Sequence, residues 1–327
     1  MSNRKLVVSF PPLNDSQKGY ISNLAGEHGF DTVFCTDPDK LKKEVADAEI
    51  LFCFNSSLIT PDSSLKWVCT PSAGVDHFLD KIRGSGIILT SSSGAYGVTI
   101  AEHIVMMTLE VMRRRPDYIK LKEERKWEQN LPVRSFYGAR VTFAGTGDIG
   151  NEAAVRIKGF KPACMTGVNR RGANPGNVYD RIIPLNEIDK VLPETDVLIL
   201  SLPSTPETVG LLNEARLRKL PEDACIVNVG RGNVLDERAL EKMLREGKLW
   251  GAALDVFEKE PLDKDSTLWD CPRLILTTHV AGNWTLPHTV EKIISLFSED
   301  FVNYCEGKPL KQVVDIDSGY NKRQAQP

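Results

Sequence analysis

The chain has 327 residues, 41% hydrophobic and 26% charged, with a formal net charge of −3. The length predicts about two domains with ordinary folded cores. The near-neutral charge, with no long run of either sign, argues against nucleic acid or a membrane surface as a partner.

Segments 5–10 (KLVVSF), 31–35 (DTVFC), 49–54 (EILFCF), 65–70 (LKWVCT) and 86–91 (GIILTS) read as strands, with helices over 16–26 and 41–48. This alternation predicts a parallel α/β domain. The five-residue apolar run before Pro11-Pro12 is too short for a signal peptide. No stretch approaches the ~18 apolar residues of a membrane span. Residues 99–114 (TIAEHIVMMTLEVMRR) predict a strong helix, with Ile100, Ile104, Met107 and Val111 at helical spacing. The preceding 94–98 (GAYGV) reads as a hinge. Residues 116–138 are polar with scattered aromatics (Trp127, Phe136, Tyr137) and read as a helix end plus an extended loop, a candidate oligomer contact. A second α/β set follows, with strands over 140–144, 163–169, 195–202, 224–229, 250–256 and 274–278 and a helix over 235–246. A helix over 289–305 closes the chain, and the polar tail 315–327 is expected to fray.

The seven cysteines are Cys35, Cys53, Cys69, Cys164, Cys225, Cys271 and Cys305. None forms a CxxC pair, so reduced thiols in a cytoplasmic protein are expected, without a zinc site or disulfide framework.

Strand 140–144 runs into Gly145-Thr146-Gly147-Asp148-Ile149-Gly150, and a helix is predicted from Asn151. A glycine-rich turn between strand and helix is the dinucleotide-binding fingerprint: it allows a tight turn, close approach to a pyrophosphate and close helix–strand packing. The helix N-terminus then offers N–H groups and positive dipole to the phosphates. An acid usually follows about twenty residues on, to bond the ribose 2′-OH of NAD. Asn169 stands 19 residues past Gly150, followed by Arg170 and Arg171, with no acid. An amide and two guanidinium groups suit a 2′-phosphate, so NADP(H) is expected over NAD(H). The alternative is a solvated basic loop that accepts either. Leu202-Pro203-Ser204-Thr205-Pro206 follows a strand end and is a second candidate cofactor contact, although a rigid loop explains its prolines as well.

Three polar stretches follow later strands: 228–232 (NVGRG), 255–261 (DVFEKEP) and 279–283 (HVAGN). Carboxyl ends of parallel strands line one crevice, so Arg231, Asp255, Glu260 and His279 are expected to converge there. Singly, each admits a plainer reading as a turn, loop or structural residue. Together they suit hydride transfer to a 2-oxo acid. Arg holds a carboxylate bidentately, His donates a proton near neutral pH, and a carboxylate orients the imidazole.

These residues resemble the D-2-hydroxyacid dehydrogenases, which include glyoxylate/hydroxypyruvate reductases and phosphoglycerate dehydrogenase. The resemblance runs through AGTGDIGNEAA, LPSTPETVGLLN, NVGRGNVLDE, GAALDVFEKEPL and LTTHVAG in order. It implies Arg231 as substrate ligand, Glu260 and His279 as the acid–base pair, and Asp255 on the nicotinamide carboxamide. Ser72–Asp76 resembles a substrate-carboxylate loop, which carries over Ala73 and Gly74; Tyr96 is a further substrate-side candidate or a packing residue. The cofactor site is expected to draw on residues 145–150 and 169–171, Leu202, Pro203, Thr205, Val229, Gly230, Asp255 and Gly282. The implied fold is two Rossmann-like parallel-sheet domains separated by a cleft. The flavodoxin-like substrate domain comprises 1–98 and 285–327, and the dinucleotide-binding domain 99–284. A homodimer through helix 99–114 is implied, as is the absence of the regulatory C-terminal domains of some phosphoglycerate dehydrogenases. The segment 280–284 (VAGNW) lacks the aromatic richness of the D-lactate dehydrogenases, and Trp284 is a candidate pocket residue. The leading expectation is reduction of a small 2-oxo acid to the D-2-hydroxy acid, with NADP(H) preferred. The alternatives are an NAD-dependent phosphoglycerate dehydrogenase, for which His77, Lys81 and Arg83 are the available cations, and a dinucleotide-sensing corepressor-like binding protein.

Overall fold

The computed structural model describes residues 4–10, 13–172, 177–317 and 319. The chain divides into two compact units, Met1–Ala95 with Thr285–Pro327, and Tyr96–Trp284.

The first unit is built on β1 (Arg4–Ser9), α1 (Asp15–Glu27), β2 (Phe30–Phe34), α2 (Pro38–Val45), β3 (Ile50–Cys53), β4 (Trp67–Thr70), α3 (Asp76–Ile82) and β5 (Ile88–Ser91). Its parallel sheet has the order β2-β1-β3-β4-β5. The central strands β3 and β4 are buried at every position, as expected of strands covered on both faces. The first helix starts where it does because Asn14 and Gln17 form a reciprocal capping box.

The closing helix, Pro287–Cys305, returns to this unit for a packing reason. Phe297 stacks on Phe52 with ring centroids 4.4 Å apart and lies against Trp67 at 5.5 Å. Trp67 donates its indole N–H to Thr90 Oγ1 at 2.9 Å, so the largest buried side chain has no wasted polar group. Truncating Phe297 to alanine removes the centre of this stack and costs about 3–5 kcal/mol. Asp300 on the same helix is buried and accepts the backbone N–H groups of Lys311 and Gln312. That fixes the segment bridging Thr90 to Val313 antiparallel at the sheet edge.

The second unit opens with α4 (Gly97–Met112) and α5 (Arg115–Glu123). It continues with β6 (Arg140–Ala144), α6 (Asp148–Lys158), β7 (Cys164–Asn169), β8 (Arg181–Pro184) and β9 (Val197–Leu200). After these come α7 (Glu214–Leu217), β10 (Cys225–Asn228), α8 (Glu237–Arg245), β11 (Gly251–Leu254) and β12 (Leu274–Leu276). The seven strands are all parallel, in the order β12-β11-β10-β9-β6-β7-β8. The chain direction across the sheet reverses between β6 and β9. A crevice opens at the carboxyl ends of strands on either side of such a switch point. The amphipathic α8 shows why the helices lie on the sheet. Asp236 caps its N-terminus through Ala239 N, and Ala239, Leu240, Met243 and Leu244 form its buried face.

Several elements differ from the sequence reading. Helix α6 begins at Asp148, three residues before Asn151, because Gly147 is its N-cap and the end of the glycine stretch is already helical. Helix α3 and edge strand β8 are not legible in the pattern. Helix α3 is only seven residues long, and β8 is half-buried at every position, so neither shows a clear period. The segment read as a helix end after Pro116 contains a separate helix, α5, broken from α4 at Arg114, whose φ is +57°. The tail expected to fray falls largely outside the described residues. Among the described residues, no helix is long and apolar enough to cross a membrane.

Candidate active site

The turn after β6 is shaped by contacts that exclude a side chain. Gly145 has φ +107°, and a Cβ on Gly150 would collide with the Gly145 carbonyl oxygen, so α6 begins against the strand end. A Cβ on Gly147 would meet no heavy atom within 4 Å, and no side chain caps α6 there. The positive end of α6 is therefore not covered by a capping side chain, and the Gly147 position is open enough for an anion to approach. The turn thus fits a dinucleotide pyrophosphate. Thr146 is buried and accepts from Asn169 Nδ2 at 2.7 Å.

Asn169 does more than occupy the end of β7. Its Oδ1 accepts the N–H groups of Arg171 at 3.0 Å and Gly172 at 2.7 Å. Both ends of the amide are engaged, tying the Arg170-Arg171 pair to the glycine turn. An aspartate could accept the two N–H groups but could meet Thr146 only by accepting its hydroxyl. Arg170 and Arg171 are exposed.

The loop after β9 lies on the other side of the switch point. Leu202 and Thr205 are buried. Thr208 Oγ1 accepts from Thr205 N at 2.8 Å and donates to the Pro203 carbonyl at 2.6 Å, so the loop is rigidified internally. Thr205 Oγ1 lies 3.1 Å from Thr208 Oγ1 and thus has a partner inside its own loop. Asn233 Nδ2 donates to Ser204 Oγ at 2.8 Å, linking this loop to the turn after β10.

That turn carries Arg231. Asn228 bridges it: Oδ1 accepts from Gly230 N at 3.1 Å and Nδ2 donates to the Arg231 carbonyl at 3.0 Å. Val229 is buried, Arg231 is half-buried, and Arg231 Nη1 donates to the Gly230 carbonyl at 2.8 Å. A Cβ on Gly232 would overlap the Phe257 carbonyl carbon. The arginine turn therefore touches the acid-bearing loop after β11 at backbone distance.

Glu260 on that loop accepts Phe257 N–H at Oε1 (2.9 Å) and pairs through Oε2 with His279 Nδ1 at 2.7 Å. Glu237, at the start of α8, accepts Glu258 N–H at 2.5 Å. Burial pushes the Glu237 carboxyl up, as do the charges of Glu258 and Glu260. His279 is exposed and its φ is +56°, a left-handed conformation unusual for a residue with a side chain. Asp255 is 1% exposed and accepts from Thr277 Oγ1 (2.6 Å), Val280 N (2.9 Å) and Ala281 N (3.0 Å). Tyr96 is buried, and burial pushes its hydroxyl well up. A Cβ on Gly282 would lie 3.3 Å from the Tyr96 ring, so Tyr96 packs beneath the turn after His279. Among the described residues, no cluster of three His, Cys, Asp or Glu is placed to hold a metal ion.

In the first unit, Ala73 and Gly74 follow β4. Ser72 Oγ accepts the Gly74 N–H at 3.2 Å, while Ser72 N donates to Thr70 Oγ1. His77 bonds the Phe54 carbonyl, and Arg83 pairs with Asp317.

Residues 105–281 match the family model described as D-isomer specific 2-hydroxyacid dehydrogenase, NAD binding domain. A glyoxylate/hydroxypyruvate reductase A from Escherichia fergusonii is 34% identical over 266 residues, covering 79% of this chain and 82% of its own. The chain belongs to the D-isomer specific 2-hydroxyacid dehydrogenase family. A D-3-phosphoglycerate dehydrogenase from Archaeoglobus fulgidus is 27% identical over 81% of this chain, but the match spans only half of that protein's length. Among solved structures, an NADPH-dependent glyoxylate/hydroxypyruvate reductase from Sinorhizobium meliloti, in complex with NADP and sulfate, superposes with a TM-score of 0.82 at 26% identity. That match covers 97% of this chain and 100% of the other. The family is one of oxidoreductases that act on small 2-hydroxy or 2-oxo acids with a nicotinamide dinucleotide.

The sequence pointed to the tips of these loops and missed their supports. Asn228, Thr277, Glu237 and Ser201, which donates to the Gly145 carbonyl, are polar residues at strand ends or helix starts. That position is the one signal that would have found them.

Proposed function

We propose that this chain reduces a small 2-oxo acid to the D-2-hydroxy acid, with NADPH preferred as the reductant. The observation that carries the reading is the Glu260–His279 pair at 2.7 Å, in the same unit as the glycine turn. The nicotinamide of a bound dinucleotide supplies the hydride. The Arg231 fork suits the substrate carboxylate and the neighbouring carbonyl oxygen. His279 Nδ1–H is held by Glu260, which leaves Nε2 to carry the proton delivered to the carbonyl oxygen as negative charge gathers there. Glu260 stabilises the imidazolium before that transfer. Asp255 is assigned to the carboxamide side of the cofactor. Ala73 is the stronger of the two backbone positions assigned to the substrate carboxylate, because the Gly74 N–H already has Ser72 as its acceptor.

The NADPH preference rests on the missing acid at Asn169 and on the arginine pair anchored beside it. The NADP held by the Sinorhizobium meliloti relative supports it. For a phosphorylated substrate, two of the three available cations are committed elsewhere, His77 to the Phe54 carbonyl and Arg83 to Asp317. Exposed Trp127 and Tyr137 (90% and 74%) support contact with a second copy of the chain, and the seven free cysteines support a reducing, cytoplasmic setting.

The test is a panel of glyoxylate, hydroxypyruvate, pyruvate, branched and aromatic 2-oxo acids and 3-phosphohydroxypyruvate, each with NADPH and NADH. Turnover of an unphosphorylated oxo acid with NADPH ahead of NADH is expected. Equal turnover with NADH, or activity on the phosphorylated acid alone, overturns the specific reading. No turnover at all favours a binding protein.

A further inference from the structure

Glu260 and His279 are exposed, so something beneath them must fix their direction. The turn 279–281 sends all three of its backbone N–H groups to one residue. His279 N donates to the Asp255 carbonyl at 2.7 Å, Val280 N to Oδ1 at 2.9 Å and Ala281 N to Oδ2 at 3.0 Å. Asp255 is therefore the post on which the left-handed backbone at His279 is hung. It is gripped from below by Thr277, whose Oγ1 lies 2.6 Å from Oδ1, and Thr277 in turn lies 3.1 Å from His103 Nε2 on α4.

We propose that His103 is a positioning residue that acts through Thr277 and Asp255 to set the orientation of His279. This rests on the reading of His279 as the proton donor. The direction of the chain of bonds follows from counting protons. A threonine hydroxyl has one. Both Asp255 oxygens already accept backbone N–H groups, so the 2.6 Å contact uses the threonine proton; the Met107 sulfur, 3.9 Å away, is a far weaker acceptor for it. Thr277 Oγ1 is then only an acceptor toward His103, and Nε2 must carry the hydrogen. The His103 side chain is 14% exposed, and burial pushes its pKa below the usual histidine range, against the opposing charges of Asp255 and Glu110. A neutral ring therefore carries its single proton on Nε2.

Two measurements test this. The first needs no activity: 15N-detected NMR of the histidines at pH 7 should show His103 Nε2 as the protonated nitrogen and Nδ1 as the bare one, and Thr277→Val should alter that pattern. A bare Nε2 in the parent protein overturns the proposal whatever the enzyme does. The second is kinetic, on the full chain with its best 2-oxo acid. His103→Leu should lower kcat roughly 10- to 100-fold through misplacement of His279, while the KM for the dinucleotide stays within about twofold. His103→Gln keeps a donor at similar reach and should recover most of the lost kcat. Thr277→Val should match His103→Leu, and the double variant should be no worse than either single one, as expected of residues acting in series. Unchanged kcat in folded His103→Leu, or additive losses in the double variant, overturns the role. If the leucine variant does not fold, the Thr277→Val kinetics and the parent tautomer decide. If the parent turns over no 2-oxo acid, the functional reading fails while the tautomer result still stands or falls alone.

Discussion

Replacing Glu260 with glutamine tests the acid–base pair directly. The carboxylate accepts two hydrogen bonds on two oxygens, from Phe257 N at 2.9 Å and from His279 Nδ1 at 2.7 Å. A glutamine has only one acceptor oxygen. Whichever bond it keeps, its NH2 group faces a donor at the other, so either the loop or the imidazole loses its anchor. The bond to His279 is charge-assisted when the ring is protonated, and such bonds are worth about 1.5–3 kcal/mol. Because the pair is partly exposed, with side chains 51% and 34% accessible, the lower half of that range is the better guide. If the bond is made mainly in the transition state, the loss is roughly 10- to 50-fold in kcat/KM for oxo-acid reduction. Dinucleotide binding should be untouched. Steady-state kinetics with the preferred oxo acid, beside fluorescence titration of the dinucleotide, measures both. A Glu260→Gln enzyme within threefold of the parent refutes the reasoning, since it means that His279 is oriented without Glu260.

Arg231→Ala should raise the KM for the oxo acid and cut turnover while leaving dinucleotide affinity within about twofold, read by the same titration; a large loss of dinucleotide binding contradicts the assignment. Neutralising Arg170 and Arg171 together should lower the NADPH/NADH ratio of kcat/KM by about tenfold or more, and an unchanged ratio removes the argument from the missing acid. Glu49 predicts an acid-stability limb. The Arg4 hydrogen bond, with help from Tyr304, Lys66 and the Arg4 charge, holds its carboxyl down at about 2, against burial that raises it. A depressed folded pKa means the stabilisation is complete above the ordinary glutamate pKa of 4.5 and is lost as pH falls from there toward 2. After allowance for screening the contribution is on the order of 1–3 kcal/mol, and Glu49→Gln should flatten urea midpoints measured between pH 6 and 2.5.

The glycine turn and the loops that carry Arg231, Glu260 and His279 were legible because each is a local arrangement of backbone and side chain. Gly145, Gly147 and Gly150 announce a strand–turn–helix within a few residues, and Arg231, Glu260 and His279 each follow a recognisable strand. The helix start was misplaced by three residues because the glycine stretch reads as loop until the N-cap at Gly147 is seen. Asn169 shows the limit more clearly. Its absent charge could be read from the sequence, but its bonds to Thr146, Arg171 and Gly172 could not, since one partner lies 23 residues away. The same holds for His103, whose partner Thr277 is 174 residues distant. Spacing on α4 identifies a helix, not what its polar residues meet across the sheet. The return of the closing helix to the first unit rests on Phe297 meeting Phe52 and Trp67, a match of shape that composition does not encode.

The main-chain contact between Gly232 and Phe257 carries a consequence for how such a protein can change. Two loops from different strands share a surface with no room for even one methyl group. Side chains at the loop tips can be exchanged more readily than the seam, provided that Phe257 N keeps an acceptor such as Glu260 Oε1. Thickening the seam itself would move Arg231 and Glu260 apart together. New chemistry on this frame is therefore reached by replacing what the loops hold out, and a library randomised at Gly232 should return glycine almost alone.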